Sequence, residues 1–207
     1  MNLPNILTLT RVFLTPLVIV FLVFQLLGSS EKAILLSRIL SAVMFAIISF
    51  TDFLDGYIAR KHNLITNFGK LMDPLADKLL VFTALVSLCV SPYVGDKTFS
   101  KCLACATIIV ISREIAVTSL RLVTAKQNIV VPANTLGKIK TVTQIIFILT
   151  AILEPVFFKN ADFTLENAAN TATVPYISYV AMGVMVIMTI WSGIVYFKHY
   201  WKFIVAE

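Results

Sequence analysis

Four aspartates lie close together between residues 51 and 78, in the segment TDFLDGYIARKHNLITNFGKLMDPLADK. They are Asp52, Asp55, Asp73 and Asp77, and the segment contains no glutamate. In a helix with about 100° per residue, Asp52 and Asp55 share one face with two small residues, Gly56 and Ala59. Small residues beside the carboxylates let a ligand approach the backbone closely, which larger side chains would block.

A second acidic stripe follows the turn KHNLITNF. Gly69, Asp73 and Asp77 recur every four residues, provided that Pro74 kinks the third helix rather than starting it. If the two helices pack side by side as an antiparallel hairpin, four carboxylates converge on one cavity and repel one another. Oxygen ligands without His or Cys suit Mg²⁺, Mn²⁺ or Ca²⁺ better than zinc. Two such cations, about 4 Å apart, would neutralise the carboxylates and bind a phosphate or diphosphate.

Two alternatives stay open for these carboxylates. They could belong to a solvated loop that only caps two helices, with Asp73 before Pro74 as an N-cap. They could also line a cation or proton path in a transporter, because acids inside membranes mark such routes. Glu114 and Glu154 stand isolated in later apolar runs, and no broken-helix pair or repeat symmetry supports transport.

The rest of the chain is mostly apolar and must position the acidic segment. Of its 207 residues, 58% are hydrophobic and 14% charged, and the mean hydropathy is +0.90. These values predict an all-α integral membrane protein, with residues 1–207 forming a single domain. Because about 20 helical residues cross a bilayer, we expect six transmembrane helices in one bundle. The predicted spans are 12–28, 33–51, 79–94, 102–124, 139–158 and 174–197.

The basic residues predict how the bundle is oriented. With both termini in the cytoplasm, eleven lysines and arginines lie on the inner side and four on the outer side, which follows the positive-inside rule. The internal connections, residues 52–78 and 125–138, then hold most of the unusual polar residues, so we expect the active site in a cytoplasm-facing cavity. The net charge of +6 does not require nucleic acid, and a multi-pass protein of a bacterial plasma membrane is the simplest interpretation.

A group of cations follows in residues 111–144. Arg113 lies near the middle of a predicted span, a costly depth unless it faces a wet cavity or an anion. Arg121 is rotated from it by only about 80°, so both can face one groove. Lys138 and Lys140 then lie at the start of the fifth helix. Together these cations favour an anionic ligand, and a phosphate suits arginine geometry best.

The same cations also have a structural interpretation. Arg113 could pair with Glu114 or with an aspartate of the acidic segment. Lys138 and Lys140 are about 200° apart on a helix, so they cannot both point inward. One of them would then extend its ammonium to the membrane surface.

Written as D-x2-D-G-x2-A-R-x8-G-x3-D-x3-D, the acidic segment resembles the signature of the CDP-alcohol phosphatidyltransferase family at every position. This resemblance implies a six-helix membrane enzyme, usually a homodimer, that transfers a phosphatidyl or similar group from a CDP-linked donor to an alcohol and releases CMP. It also implies two divalent cations, Mg²⁺ or Mn²⁺, as cofactors. No protein nucleophile is required, because the acceptor displaces CMP directly.

The resemblance also implies roles for individual residues. The metal ligands are Asp52, Asp55, Asp73 and Asp77, and Asp77 is in addition the general base. The residues bordering the cytidine diphosphate are Gly56, Ala59, Arg60 and Gly69. In the segment LPNILTLTRVFLTP, Asn5, Thr8 and Arg11 are similar to family residues that contact the nucleotide end of CDP-diacylglycerol. Asn5 near a helix start and Arg11 as a headgroup anchor would also fit without any ligand.

Three further segments narrow the resemblance. SREIAVTSLRL, LGKIKTVTQ and LPNILTLTRV are similar to the bacterial phosphatidylglycerophosphate synthases within this family. The implied acceptor is sn-glycerol 3-phosphate, which would bind at the four cations Arg113, Arg121, Lys138 and Lys140, and the implied products are phosphatidylglycerol phosphate and CMP. Other acceptors, such as serine, inositol phosphate or phosphatidylglycerol, stay open, as does a cation transporter.

Overall fold

A computed structural model of the chain describes the backbone of residues 3–24, 31–62, 67–90, 97–126, 135–157 and 175–205. Side chains are described at residue 10 and over residues 13–23, 32–51, 78–90, 98–121, 136–157 and 175–199. Within these ranges the fold is all helical, as predicted. The helices are α1 (Leu3–Phe24), α2 (Glu31–His62), α3 (Asn67–Val90), α4 (Lys97–Lys126), α5 (Thr135–Phe157) and α6 (Tyr176–Val205).

Two helices extend beyond the apolar runs into the acidic segment. α2 continues to His62, so Asp52 and Asp55 lie on a helix, as their spacing predicts. α3 begins at Asn67, so Pro74 lies inside this helix and Asp73 is not the residue that caps its start. The side chains of the acidic stripes lie outside the described residues, so their convergence stays a prediction.

Four of the helices are long and apolar enough to cross a membrane within the described residues. These spans are Lys32–Thr51, Thr98–Arg121, Leu136–Phe157 and Tyr176–His199, and shorter apolar stretches occupy Phe13–Val23 and Lys78–Val90. Large apolar side chains also cover the outside of the bundle, where Phe13, Phe50 and Phe157 are 63–75% exposed. Such a surface would be unfavourable in water and suits contact with lipid.

The helices are arranged as a closed ring. Among the described residues, neighbouring helices contact each other in the order α1, α2, α5, α6, α4, α3 and back to α1. α3 and α5 also touch across the ring. The two helices that carry the acidic stripes, α2 and α3, both pack on α1 and on α5. The ring order also places α6 between α5, which precedes it in sequence, and α4, which is more distant in sequence.

Apolar side chains from different helices fill the centre of the ring. Phe45 of α2, Phe99 of α4 and Phe147 of α5 are fully buried. Phe99 also meets Tyr179 of α6 edge to face, with the ring centroids 4.8 Å apart. Because lipid tails are as apolar as these side chains, close packing rather than transfer out of water holds the helices together.

Glu154 has a structural role that the sequence analysis did not identify. Its carboxylate accepts hydrogen bonds from the backbone N–H groups of Ile177, at 3.0 Å, and Ser178, at 2.8 Å, and from the Ser178 hydroxyl. These N–H groups belong to the first turn of α6, where the helix itself offers no acceptor. Glu154 is therefore not isolated, as its sequence context suggested, but caps α6 from α5.

We expect Glu154→Ala to destabilise the protein by about 1–3 kcal/mol, because buried N–H groups of α6 would lose their acceptor. Glu154→Gln retains one acceptor oxygen and should lose less. Thermal unfolding in detergent measures both variants. Gly183→Ala serves as the control, since Gly183 is exposed on α6 and an added Cβ would meet nothing within 4 Å. Equal unfolding midpoints for Glu154→Ala and the wild type would contradict the capping role.

Candidate functional site

Three helices bring polar residues from distant parts of the chain to one place. α4 contributes Arg113, Glu114 and Arg121, α5 contributes Lys140, and α6 contributes Tyr196. We call these five residues the basic cluster. α6 packs on both α4 and α5, so its inner face contacts side chains from the two helices at once.

The partly buried Arg113 and the buried Lys140 share one carboxylate oxygen in the basic cluster. Arg113 Nη1 lies 3.1 Å from Glu114 Oε1, and the Lys140 ammonium donates to the same oxygen. Glu114 is 7% exposed and Lys140 is 6% exposed. Charges buried to this extent are costly unless they are balanced. Among the described side chains, one carboxylate faces two cations, so an anionic ligand could bind this trio.

Tyr196 connects the two arginines of the basic cluster. Its ring is 2% exposed, and the guanidinium carbons of Arg113 and Arg121 lie 5.9 and 5.2 Å from the ring centroid. Arg121 Nη2 also donates to the Tyr196 hydroxyl at 2.7 Å. Attraction between a cation and an aromatic face lets one side chain hold two like charges near each other. The two arginines thus reach one place, as their helical spacing predicts.

The part of α6 that faces Arg113 is made of small and polar residues. Arg113 Nη2 donates to the Ser192 hydroxyl. A Cβ built at Gly193 would lie 3.3 Å from Arg113 Cγ, which is closer than ordinary contact, and at an ordinary 3.7 Å from its Nε. The missing side chain at Gly193 therefore allows the arginine to pass over α6 at this level.

α3 reaches the same region through Lys78, the residue after Asp77. The Lys78 ammonium donates to the Thr118 hydroxyl on α4. That hydroxyl donates in turn to the backbone carbonyl of Glu114, at 2.6 Å. The Lys78 side chain therefore links α3, one residue after Asp77, to the turn of α4 that contributes to the basic cluster.

Several buried polar atoms in this region have no hydrogen-bond partner within the described part of the chain. They are Arg113 Nε, Gln144 Nε2 and Thr189 Oγ1. Gln144 lies one turn beyond Lys140 on α5, and Thr189 lies one turn before Gly193 on α6. A buried polar atom without a partner costs free energy, so these atoms are available to a polar ligand.

The structure brings together three of the four cations predicted to bind an anionic acceptor. Arg113, Arg121 and Lys140 belong to the basic cluster, whereas the side chain of Lys138 is exposed. Only one of the two lysines is buried, as their separation around the helix predicts. Arg113 pairs with Glu114, as the structural interpretation predicts, and Glu114 is therefore not isolated.

The other predicted site residues lie on helices, but their side chains fall outside the described residues. They are Asn5, Thr8 and Arg11 on α1, Asp52, Asp55, Gly56, Ala59 and Arg60 on α2, and Gly69, Asp73 and Asp77 on α3. Among the side chains that are described, no group of three or more His, Cys, Asp or Glu residues could hold a metal ion. The four aspartates offer oxygen atoms only, a donor set that fits Mg²⁺ or Mn²⁺.

Three residues of α6 that line this site were not predicted from the sequence. Ser192, Gly193 and Tyr196 lie in a segment recognised only as the last apolar span. A signal was nevertheless present, because Thr189 and these three residues fall at i, i+3, i+4 and i+7, which is one helical face. Small and polar residues on one face of a membrane helix mark a surface that packs closely against another helix.

The chain is similar to known proteins along most of its length. A family model described as CDP-alcohol phosphatidyltransferase matches residues 1–196. A Bacillus subtilis (strain 168) protein named CDP-diacylglycerol--glycerol-3-phosphate 3-phosphatidyltransferase is 40% identical over 205 residues, which cover 97% of this chain and 96% of that protein. A protein of the same name from Rickettsia bellii (strain RML369-C) is 34% identical over 197 residues, 95% of this chain and 94% of that protein. A cardiolipin synthase (CMP-forming) from Oryza sativa subsp. japonica is 34% identical over 210 residues, 100% of this chain and 58% of that protein.

We expect Glu114→Ala to destabilise the protein by about 3–5 kcal/mol, because Arg113 and Lys140 would lose their shared anion. Adding Lys140→Met to this variant should recover part of the loss, because the buried ammonium that lost its partner is then removed as well. Unfolding of the wild type, both single variants and the double variant in detergent measures this coupling. Strictly additive losses would contradict direct pairing between Glu114 and Lys140.

Proposed function

This chain belongs to the CDP-alcohol phosphatidyltransferase family, and we propose that it transfers the phosphatidyl group of CDP-diacylglycerol to sn-glycerol 3-phosphate. The products would be phosphatidylglycerol phosphate and CMP. The relatives from Bacillus subtilis and Rickettsia bellii are named for this reaction, and each covers almost the whole chain.

The observation that carries the choice of acceptor is the shared oxygen of Glu114. Arg113 and Lys140 converge on it, and the trio keeps a positive charge in a buried place. A phosphate monoester has a charge of about −1.5 to −2 at pH 7, and a guanidinium binds two of its oxygens at once. The trio has a net charge of +1 and Arg121 adds a second positive charge, so such an acceptor would balance the basic cluster, whereas a neutral alcohol would bring no negative charge to it.

Asp77 would act as the general base on the bound acceptor. The next residue, Lys78, contacts Thr118 on α4, which supports a position of Asp77 close to the basic cluster. With its phosphate at Arg113 and Arg121, the acceptor can direct a free hydroxyl toward α3. The hydroxyl oxygen would bond to the phosphatidyl phosphorus while the bond from that phosphorus to CMP breaks, and the hydroxyl proton would pass to the Asp77 carboxylate.

The donor would bind at the acidic half of the site. Asp52, Asp55, Asp73 and Asp77 would hold two divalent cations, Mg²⁺ or Mn²⁺, in keeping with the general dependence of the family on divalent cations. When bound, such cations make the donor phosphorus more electrophilic and stabilise the departing CMP. The residues that would border the CDP group are Asn5, Thr8, Arg11, Gly56, Ala59, Arg60 and Gly69.

The same proposal includes the setting of the enzyme. We propose six transmembrane spans, with both termini and the active site on the cytoplasmic side of a bacterial plasma membrane, and a homodimer as the assembly. Four long apolar helices and the two shorter apolar stretches in α1 and α3 support the membrane setting. The excess of basic residues in the proposed internal segments supports the orientation.

A second acceptor, phosphatidylglycerol, has one observation in its favour. The rice relative is named cardiolipin synthase (CMP-forming) and is 34% identical over the full chain. The burial of Glu114 and Lys140 favours a small phosphorylated alcohol instead, because a second lipid would have to bring its phosphodiester to the same buried place. Both acceptors would use the same donor and release the same CMP.

Purified protein supplied with CDP-diacylglycerol, labelled glycerol 3-phosphate and Mg²⁺ should release CMP and form labelled phosphatidylglycerol phosphate. Arg113→Ala should raise the KM for glycerol 3-phosphate about 10–100-fold, because one charge-assisted hydrogen bond contributes about 1.5–3 kcal/mol. Lys138→Ala is the matched control and should change this KM little, since Lys138 is exposed. Chromatography of the lipid product identifies the acceptor.

The outcomes of this assay separate the candidates. CMP release that requires phosphatidylglycerol, with no labelled lipid from glycerol 3-phosphate, would favour the second acceptor. No metal-dependent CMP release with any acceptor would overturn the proposed function.

Asp77→Asn should lower the rate of CMP release at least about 100-fold, because an amide cannot accept the hydroxyl proton. EDTA should stop the wild-type reaction, and added Mg²⁺ or Mn²⁺ should restore it. Thermal unfolding checks that the variant is still folded. Ion flux into vesicles that persists in Asp77→Asn, with no CMP chemistry in the wild type, would support a cation transporter instead.

A further inference from the structure

We propose that α6 determines acceptor specificity, with Ser192, Gly193 and Tyr196 as positioning residues that make Arg113 and Arg121 one phosphate-binding unit. This inference rests on the proposed function and names the class of acceptor that the unit selects, a phosphorylated alcohol. None of the three residues needs to touch the reacting atoms. They act by fixing where the guanidinium groups lie.

Gly193 sets the path of the Arg113 side chain. An added Cβ would lie 3.3 Å from Arg113 Cγ, so the arginine would have to move by a few tenths of an ångström. The neighbouring contacts limit that movement, because Arg113 Nη1 is bound to Glu114 and Nη2 to Ser192. A displacement at Cγ would therefore tilt the guanidinium relative to its partners. Bidentate phosphate binding depends on that plane.

Tyr196 sets the distance between the two arginines. The phenol ring attracts both guanidinium groups, and its hydroxyl accepts a hydrogen bond from Arg121. The ring is almost completely buried and therefore has little freedom to move. Without the Tyr196 ring, the two guanidinium groups would repel each other, and the more exposed Arg121 would turn toward solvent first. A phosphate can use both arginines only while they are held together.

Ser192 completes the contact surface by accepting a hydrogen bond from the Arg113 Nη2 atom. Ser192, Gly193 and Tyr196 lie within one helical turn of each other and come from a helix that carries none of the cations of the basic cluster. The cations on α4 are thus positioned by uncharged residues of α6. We infer that a change on α6 can alter acceptor binding and leave the binding of the CDP-linked donor unaffected.

The test compares steady-state kinetics of Gly193→Ala and Tyr196→Phe with Gly183→Ala as the matched control. Gly183 is on the same helix, and an added Cβ there would meet nothing within 4 Å. Gly193→Ala should raise the KM for glycerol 3-phosphate about 5–20-fold, a range consistent with a small displacement of a substrate-binding group. Tyr196→Phe should raise the KM for glycerol 3-phosphate about 3–10-fold through loss of the Arg121 hydrogen bond.

The kcat and the KM for CDP-diacylglycerol should stay within about twofold of the wild type in both variants. Gly183→Ala should match the wild type in all of these parameters.

A second measurement uses inorganic phosphate as a competitive inhibitor against glycerol 3-phosphate. Its inhibition constant should rise in Gly193→Ala and Tyr196→Phe in parallel with the KM, because both report the same phosphate-binding unit. A rise in KM with an unchanged phosphate inhibition constant would overturn the inference. A parallel loss of kcat, of both KM values and of thermal stability would show a general packing defect and would also overturn it.

The inference and the proposed function fail in different ways. If the wild type shows no acceptor-dependent CMP release, or if Arg113→Ala leaves the KM for glycerol 3-phosphate unchanged, the proposed function fails. If Arg113→Ala raises that KM while Gly193→Ala and Tyr196→Phe do not, the proposed function stands and the role of α6 is refuted.

Discussion

Burial of two cations against one carboxylate is the constraint on which the rest of the site depends. Arg113 and Lys140 approach the same oxygen of Glu114 inside a bundle whose core is built mainly from apolar side chains. A charge in such surroundings needs partners, so this trio ties α4 to α5. The hydrogen bond from Arg113 to Ser192 then adds α6. Because two cations face one carboxylate among the described side chains, the same place is suitable for an anion.

The ring of helices connects this basic region with the acidic segment. α3 carries Asp73 and Asp77 near its start, and the next residue, Lys78, is bound to α4 through Thr118. α5 touches both α2 and α3 and also carries Lys140. The proposed metal-binding half and the proposed acceptor-binding half are therefore attached to the same packed helices.

Capping and close approach explain how an apolar helix such as α6 takes a defined position. Glu154 satisfies the N–H groups at the start of α6, and Gly193 and Tyr196 fit against Arg113 in the second half of that helix. In a membrane the hydrophobic effect does not choose among helix–helix contacts, so hydrogen bonds and shape have to do so. The polar residues of this bundle therefore define both its geometry and its chemistry.

Local patterns in the sequence were sufficient to predict the helices and to suggest the candidate chemistry. The spacing of Asp52 and Asp55 predicted a helical face, and α2 continues through both residues. The apolar runs predicted helices, because the pattern of a helix can be seen within a single segment of sequence. The spacing of Arg113 and Arg121 likewise predicted that they reach one place. The tertiary structure alone decided that Lys140 rather than Lys138 is buried, that Lys140 binds Glu114, that Glu154 caps α6, and that Tyr196 and Gly193 adjoin the arginines. These contacts join residues 26 and 79 positions apart, as Lys140 to Glu114 and Arg113 to Ser192, and they depend on the order of the helices around the ring, which no local period encodes.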